Sequence, residues 1–490
     1  MSARSNAAPC RRARHGAWPL TALLAAGCAV GPEYHRPAPP AVSHYASEAD
    51  PSSTVAAHGA AQSFRPGEKV SPDWWQLFGS ERLDSVVSEA LRANPGLEAA
   101  QASLRVSENN LRAGYGIFYP QLQADASATR QRYAPISTGA AAPASIFNLF
   151  TLSASVSYAL DVFGGERRMI EGLHAQVDLE RATEQATYLT LVANVVNAVV
   201  ARAAYRAEID ATRELIDLQR QQVRLADVQA QAGTAPYSSV LSIESQLAAT
   251  QATVPQLEQR LSQSDDLLAT LVGHVPAEWT PPEVALAELA LPAELPVSLP
   301  SELVRQRPDV LIAEAAAHGA SANVGVATAA LLPSLTLTGS YSANSGTTGQ
   351  LSAPAGRAWE AGAGLTQPLL EGGTLWFRRK AALDQYREAS ALYRQVVLGA
   401  FAQVADTLRA LEHDAAALRA EDESLAAARE ALHLVQTNYE AGLATYLDVL
   451  AADIQYHQAA ISDLQMVALR YQDTVALYVA LGGGWWDRPL

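Results

Sequence analysis

Four runs of the chain alternate apolar and small polar residues, and this period of two predicts four β-strands. The runs cover residues 122–128, 152–160, 335–341 and 359–365. In the second run, for example, Leu152 and Val156 alternate with serine and threonine. Such alternation is typical of a strand with one apolar and one polar face.

The placement of charges indicates what the apolar faces contact. Residues 133–160 and 315–356 contain no Asp, Glu, Lys or Arg, and they include the second and third strands. Asp125 and Glu360, in the first and fourth strands, fall on the polar faces. A charge facing lipid near the bilayer midplane costs about 2–4 kcal/mol. The pattern therefore favours membrane strands, and soluble hairpins packed on helices remain the alternative.

Four membrane strands have a consequence for assembly. About eight strands are the minimum for a closed barrel, and an open sheet edge in lipid leaves backbone groups unpaired. Membrane strands in this chain therefore predict an oligomer. Two chains would supply eight strands and three would supply twelve; the small residues on the polar faces favour three.

Glycine and proline landmarks recur at nearly one spacing, which indicates an internal duplication. Gly233 recurs as Gly442 at an offset of 209, and Pro95 recurs as Pro308 at an offset of 213. In each copy the same order is predicted: helices broken once by a proline, two strands, a long helix, a glycine turn and another helix. The period is far too long for a solenoid repeat, so each copy is a domain-sized unit.

The long helices have the length and spacing of coiled coils. Residues 165–233 and 373–442 contain no proline, and each stretch would be about 100 Å long as a helix. In the second copy Val397, Phe401, Val404, Leu408 and Leu411 form a heptad seam. The equivalent first-copy positions are apolar except the last, Arg202.

The N-terminus has the features of an export signal that ends at a cysteine. Four arginines precede a short apolar core at residues 17–26, and Leu24-Ala25-Ala26-Gly27-Cys28 resembles a bacterial lipobox. Cleavage would leave Cys28 as the only cysteine, available for lipid attachment and unable to form an internal disulfide. An ordinary cleaved signal with a chance cysteine is the alternative.

These features divide the chain into five segments. Residues 1–27 are the lipoprotein signal peptide, and residues 28–70, rich in Pro, Ala and Ser, are an N-terminal lipid-anchored extended segment. The first repeat covers residues 71–275, the inter-repeat linker 276–300 and the second repeat 301–490. Each repeat contributes helices and two barrel strands.

Composition excludes several functions. With 35 basic and 50 acidic side chains, the net charge of −15 argues against nucleic-acid binding, which needs a basic face. None of the ten histidines forms a His-x-x-x-His pair, and there is no Gly-x-Ser-x-Gly or phosphate-binding glycine loop. We therefore expect no enzyme activity, no catalytic residues, no metal site and no cofactor except the covalent lipid on Cys28.

Several motifs carry a resemblance to a known family. They are the segments 28–37 and 158–164, Arg307-Pro308-Asp309-Val310, and the segments 442–450 and 481–485. With these motifs the chain resembles the TolC-like outer-membrane factor family, in its lipoprotein (NodT-type) branch. The resemblance covers essentially the whole mature chain in order.

The resemblance implies a mainly α fold with a membrane β-barrel contribution. It implies a homotrimer with a twelve-stranded barrel in the outer-membrane lipid and a twelve-helix tunnel in the periplasm. A periplasmic adaptor protein and an inner-membrane transporter would be its partners, and the trimer would be the passive conduit of a tripartite efflux pump for drugs or other small molecules. Alternatives are the same channel in type I secretion or metal export, and a lipid-tethered soluble periplasmic coiled-coil scaffold.

The resemblance also implies the positions of a gate. Asp448 matches an acidic gate residue, and Tyr439 matches a tyrosine that ties the closed helices together. Ala444 and Ala451 stand where the family can carry charges. The alternative for Asp448 is an acid that stabilises the first turn of a helix. The glycine turns would form the adaptor-contact tips, through Gly233, Thr234, Gly442 and Leu443.

Overall fold

The computed structural model of this chain describes residues 29–134 and 143–487. Cys28 and the predicted signal peptide lie outside these residues. The described part contains six strands: β1 Ser63–Pro66, β2 Gln121–Tyr133, β3 Ser145–Leu160, β4 Glu294–Val297, β5 Ser334–Ser345 and β6 Arg357–Thr366. It also contains eight α-helices: α1 Glu81–Ala93, α2 Pro95–Gly114, α3 Gly165–Gln231, α4 Tyr237–Leu271, α5 Pro300–Gln306, α6 Pro308–Ala329, α7 Thr374–Glu440 and α8 Tyr446–Ala480.

Prolines divide the helices where the sequence predicts. Pro95 separates α1 from α2, and Pro308 separates α5 from α6. A proline removes a backbone donor and disfavours helical geometry in the residue before it, so a helix ends there. Pro255 lies within α4, which continues through it.

The chain forms two compact units. Within the described residues, the strand unit comprises residues 29–35, 108–134, 143–176 and 316–389, and the helical unit comprises residues 36–107, 177–315 and 390–487. Each unit takes segments from both sequence copies. The linear boundaries at residues 70, 275 and 300 stay predictions.

The strand unit contains an antiparallel sheet in the order β2-β3-β5-β6. Its register confirms the alternation read from the sequence. Leu122 pairs with Val156, which pairs with Gly339, so the apolar positions share one face. Asp125 and Glu360 lie on the opposite face, where their neighbours are serines.

The apolar face of this sheet is exposed in the single chain. Leu122 and Trp359 are each 78% exposed. The two end strands, β2 and β6, each pair on one side only within the described residues. Within residues 29–134 and 143–487, the sheet therefore lacks both a cover for its apolar face and partners for its edges.

The described residues contain two long helical hairpins of equal dimensions. The first hairpin joins α3 to α4, and the second joins α7 to α8. Both α3 and α7 have 67 residues, and both α4 and α8 have 35. This equality confirms the duplication.

The heptad seam of each hairpin is buried. Val404, Leu408 and Leu411 of α7 are almost completely buried, as are Val192 and Val195 of α3. Repeated apolar residues at three- and four-residue steps put one stripe of each helix into the core. The coiled-coil prediction is confirmed on this point.

Residues 36–62, called the strap below, belong to the helical unit and pack on its helices. They contain no helix and no strand longer than a single bridge. Arg36 forms an ion pair of 2.6 Å with Glu314 of α6, and the Tyr45 hydroxyl donates to the Ser298 carbonyl at 2.5 Å. The strap leads into β1, which pairs in parallel with β4.

Two described helices, α3 and α6, are long and apolar enough by length and composition to cross a membrane. The core helix of a soluble protein passes the same test. The apolar window of α3 is 67% buried inside the chain and that of α6 is 39% buried. The burial of α3 is therefore that of a core helix.

Candidate gate at the hairpin turns

Both hairpin turns have the backbone geometry that requires glycine. Gly233 has a φ of +71° and Gly442 a φ of +75°, in the left-handed region that ends helices. The Thr234 N–H donates to the Gln229 carbonyl at 2.9 Å, and the Leu443 N–H donates to the Asn438 carbonyl at 2.7 Å. These bonds satisfy carbonyl groups at the ends of α3 and α7.

The residues of the two turns are accessible for contact. Gly233, Thr234 and Gly442 are exposed, and Leu443 is 80% exposed. A Cβ atom added at Gly233 or Gly442 would meet nothing within 4 Å. The glycines are therefore needed for their backbone angle and not for close packing, and the adaptor-contact role of the turns stays a prediction.

Asp448 forms a capping box with Thr445 at the start of α8. The Thr445 N–H donates to Asp448 Oδ2 at 2.8 Å, and the Thr445 hydroxyl donates to the same oxygen at 2.7 Å. The Asp448 N–H lies 3.3 Å from Thr445 Oγ1. Reciprocal bonds of this kind satisfy free donors in the first turn of a helix. Asp448 therefore does stabilise the first turn of α8, as the alternative interpretation of this residue expects.

The same contact keeps Asp448 ionised. The hydrogen bonds from the Thr445 side chain and backbone lower the pKa of the Asp448 carboxyl below its ordinary value. The carboxylate is also exposed. It therefore presents a fixed negative charge at neutral pH, as a cation-attracting gate residue would.

Tyr439 contacts Tyr446, a residue that the sequence did not single out. Their ring centroids are 5.7 Å apart, with planes inclined at 50°. The Tyr446 hydroxyl donates to Gln221 Oε1 of α3 at 2.7 Å. The contact between the two tyrosines joins α7 to α8, and the Tyr446 hydroxyl joins the second hairpin to the first. Tyr446 lies within the motif 442–450, but its partner in α3 follows only from the packing.

A second contact between the hairpins lies further along α8. His457 Nδ1 is 3.6 Å from Glu214 of α3, and His457 Nε2 is 3.6 Å from Asp453. Burial raises the pKa of the Asp453 carboxyl. Polar side chains therefore connect α3 and α8 at two levels.

Sequence and structure comparisons identify relatives of this chain. The profile of the outer membrane efflux protein family matches residues 86–274 and 299–483, one segment in each copy. The pyoverdine export outer membrane protein OpmQ of Pseudomonas aeruginosa is 32% identical over 420 residues, which cover 84% of this chain and 87% of that protein. The toluene efflux pump outer membrane protein TtgC of Pseudomonas putida is 28% identical over 480 residues, covering 96% and 95% respectively.

A solved structure extends the similarity to the fold. The outer-membrane channel OprN matches with a TM-score of 0.81 at 27% identity, over 94% of this chain and 100% of that one. The fold and the sequence matches define an outer-membrane efflux channel with a periplasmic helical tunnel. The chain belongs to the outer membrane efflux protein family, which confirms the resemblance read from its motifs. This is a family of channel proteins whose members work as trimers with an adaptor and an inner-membrane transporter.

Proposed function

We propose that three copies of this chain form a passive conduit through the outer membrane for small molecules delivered by a periplasmic adaptor and an inner-membrane transporter. The observation that carries the proposal is the sheet β2-β3-β5-β6. In the part of the chain that the structure describes, this sheet has an exposed apolar face and two unpaired edges. Joining β2 of one copy to β6 of the next removes every edge and turns the apolar faces to lipid.

The cargo is proposed to be small and chemically varied. Relatives of this chain are named for export of pyoverdine, toluene, antibiotics and cations. These cargoes share little chemistry, so the pattern supports a conduit in which the inner-membrane partner selects the substrate. Metal export remains within the same proposal, because the cation efflux protein CusC is 26% identical over 474 residues.

A lipid on Cys28 is the second part of the proposal. The support comes from the next residues of the chain. The Val30 N–H donates to the Phe163 carbonyl at 2.9 Å, and Ala29 lies against Gly164. These contacts fix the chain beside the end of β3, so a lipid on the preceding cysteine would enter the leaflet beside the barrel. We expect Cys28→Ser still to give trimers in the outer membrane, because the barrel also anchors them.

Asp448 and Tyr439 are proposed as gate residues. In a trimer, three exposed Asp448 carboxylates would form a ring at the tunnel tip and attract cations. We expect Asp448→Asn to lower cation selectivity in planar bilayers. Unchanged selectivity would remove Asp448 from the gate.

The barrel is tested by a matched pair of substitutions in β3, a central strand of the sheet. Val156 lies on the apolar face and the adjacent Ser155 lies on the polar face. Val156→Arg would put a charge on the lipid face, at a cost of up to about 2–4 kcal/mol per chain, so we expect loss of outer-membrane trimers. Ser155→Arg should assemble and alter conductance. Normal assembly and conductance of Val156→Arg would contradict the proposal and favour a soluble scaffold.

A further inference from the structure

The strap is held tightly around His58. Arg470 of α8 is fully buried, and its guanidinium donates to the carbonyl oxygens of Ala57 and, at 3.5 Å, Ala60. Its Nε donates to Gln62 Oε1 at 3.2 Å. His58 itself has a φ of +45° and is the one non-glycine residue with positive φ in residues 29–134 and 143–487. The bonds on both sides of His58 hold this uncommon conformation and fix the position of the imidazole.

Two carboxylates of the second hairpin face this imidazole. The backbone N–H of His58 donates to Asp422 Oδ2 of α7 at 2.6 Å, and the ring Nδ1 of His58 is 3.7 Å from Asp422 Oδ1. Asp463 of α8 is in side-chain contact with Asp422 and only 5% exposed. Its Oδ1 has no hydrogen-bond partner within the described part of the chain. One nitrogen or oxygen atom from each of the three residues lies within 4.8 Å of the other two.

The charges around this cluster require a cation. Two carboxylates in contact repel each other, and a buried carboxylate without a partner is costly. Glu421 adds further negative potential at Asp463. Arg470 interacts electrostatically with Asp422, but its hydrogen bonds go to the strap. The Arg470 guanidinium therefore supplies no donor to the Asp463 oxygen.

We propose that His58, Asp422 and Asp463 form a binding site for a divalent transition-metal ion, best matched by Zn²⁺, that fastens the strap to the second hairpin. Imidazole nitrogen and carboxylate oxygen are zinc ligands, with metal distances of about 2.0–2.2 Å. Ligand atoms of one ion are then at most about 4.4 Å apart, so small side-chain shifts close the site. The ion would be structural and is distinct from any transported cargo.

The experiment uses the full-length protein purified in detergent without a polyhistidine tag and stripped of metal by a chelator. Equilibrium dialysis at pH 7.5 measures bound Zn²⁺ per chain, with Mg²⁺ in a parallel sample. The site variants are Asp463→Asn and His58→Asn, because asparagine tolerates positive φ. The control is Asp473→Asn, which alters another carboxyl pair between α7 and α8 that lacks a histidine.

We expect about one tightly bound Zn²⁺ per chain and a loss of affinity of roughly tenfold or more in both site variants, with none in the control. Zn²⁺ should also protect the strap from limited proteolysis, and His58→Asn should remove that protection. Should Asp463→Asn fail to fold, His58→Asn on the exposed strap still decides the question. Equal zinc binding in the wild type and His58→Asn would overturn the proposal and leave a shared proton as the cation. Mg²⁺ binding as tight as Zn²⁺ binding would overturn the assignment of a transition-metal site.

Discussion

The two hairpins of the helical unit have equal helix lengths and opposite electrostatics. Arg202 of α3 lies 2.6 Å from Asp265 of α4, and Arg213 lies 2.8 Å from Glu258. The two helices of the first hairpin, α3 and α4, are therefore joined by ion pairs. The offset of 209 that relates the copies puts Asp422 at the position of Arg213, which reverses the charge.

The second hairpin is joined by pairs of like charge. Asp422 contacts Asp463, and Asp414 contacts Asp473, in both cases through hydrogen-bonded carboxyl groups between α7 and α8. Such pairs hold only while a proton or another cation lies between them. Duplication has preserved the apolar seam and the turn, whereas the polar contacts have diverged. The second hairpin, which carries the candidate gate residues, is therefore the one whose stability we expect to depend on pH.

The largest expected effect comes from removing the buried arginine of the first hairpin. Arg202 also donates to the Pro282 carbonyl at 3.2 Å and is only 6% exposed. Arg202→Met keeps much of the apolar volume but leaves Asp265 unpaired. We expect a loss of about 2–3 kcal/mol in the free energy of unfolding, a range lowered for the partial exposure of Asp265. Denaturant unfolding followed by circular dichroism measures it.

The exposed ion pair of the same hairpin supplies the control. Arg213→Met should cost less than about 0.5 kcal/mol, because exposed pairs contribute little. An equal loss of stability in Arg202→Met and Arg213→Met would show that burial does not make the first ion pair more important than the second.

The next effect should be equal in the two hairpins. Gly233→Ala and Gly442→Ala each place a Cβ atom in the left-handed region, while neither meets a neighbouring atom within 4 Å. The cost should be about 1–2 kcal/mol for each, measured by thermal unfolding without adaptor. A clear difference between the two would mean that one turn relaxes into another conformation, and the turns would no longer be equivalent.

Sequence reasoning predicts the features that depend on local rules. The strand period, the breaks at Pro95 and Pro308 and the glycine turns were confirmed because each depends on a few adjacent residues. Arg202 was visible as an exception to the seam, but its partner Asp265 was not. That pairing depends on the register of two helices joined by a distant turn, which no local pattern specifies.

Dependence on distant segments also explains the other features that the sequence did not predict. Strands β1 and β4 have four residues each and contain proline, Pro66 and Pro296, so their signal is weak. The two strands pair with each other although they lie more than 200 residues apart in sequence, so they form only when the fold brings them together. The carboxyl pairs and the His58 cluster likewise require segments that only tertiary packing brings together.

The third prediction concerns the pH dependence of the second hairpin. Burial, together with the hydrogen bond that protonated Asp473 donates to Asp414, raises the pKa of Asp473 to about 7, compared with about 3.9 in an unfolded chain. The folded state thus binds this proton more tightly, so stability is lost as pH rises from about 4 to about 7 and changes little above that range. In the Asp473→Asn variant, the side-chain amide can donate a hydrogen bond to Asp414 at every pH. At pH 8 it should raise the free energy of unfolding by on the order of 1 kcal/mol, after allowance for partial exposure.

Thermal unfolding at pH 5 and pH 8 tests this prediction. Asp217→Asn, an exposed carboxylate of α3 that lies 2.8 Å from Arg220, is the control and should leave the pH difference unchanged. If Asp473→Asn destabilises the protein at pH 8, the pair is held by something other than a proton.

The smallest effects concern the caps at the starts of α4 and α8. Thr445 caps α8 through its side chain, whereas Pro236, at the equivalent position before α4, has no side-chain cap. Thr445→Ala should lower the free energy of unfolding by about 0.5–1 kcal/mol. Thermal unfolding measures it, and Thr445→Ser, which keeps the hydroxyl, should restore most of the loss.

The reciprocal change tests whether the cap can be moved to the first hairpin. Pro236→Thr with Ser239→Asp places the capping-box residues at the positions equivalent to Thr445 and Asp448. The backbone at Pro236 is already extended, with φ −73° and ψ 143°, so threonine fits without strain. The new cap should contribute about 0.5–1 kcal/mol, but loss of the proline increases the conformational entropy of the unfolded chain by a comparable amount. The net change should stay below about 0.5 kcal/mol, and a larger gain would show that Pro236 strains the first turn.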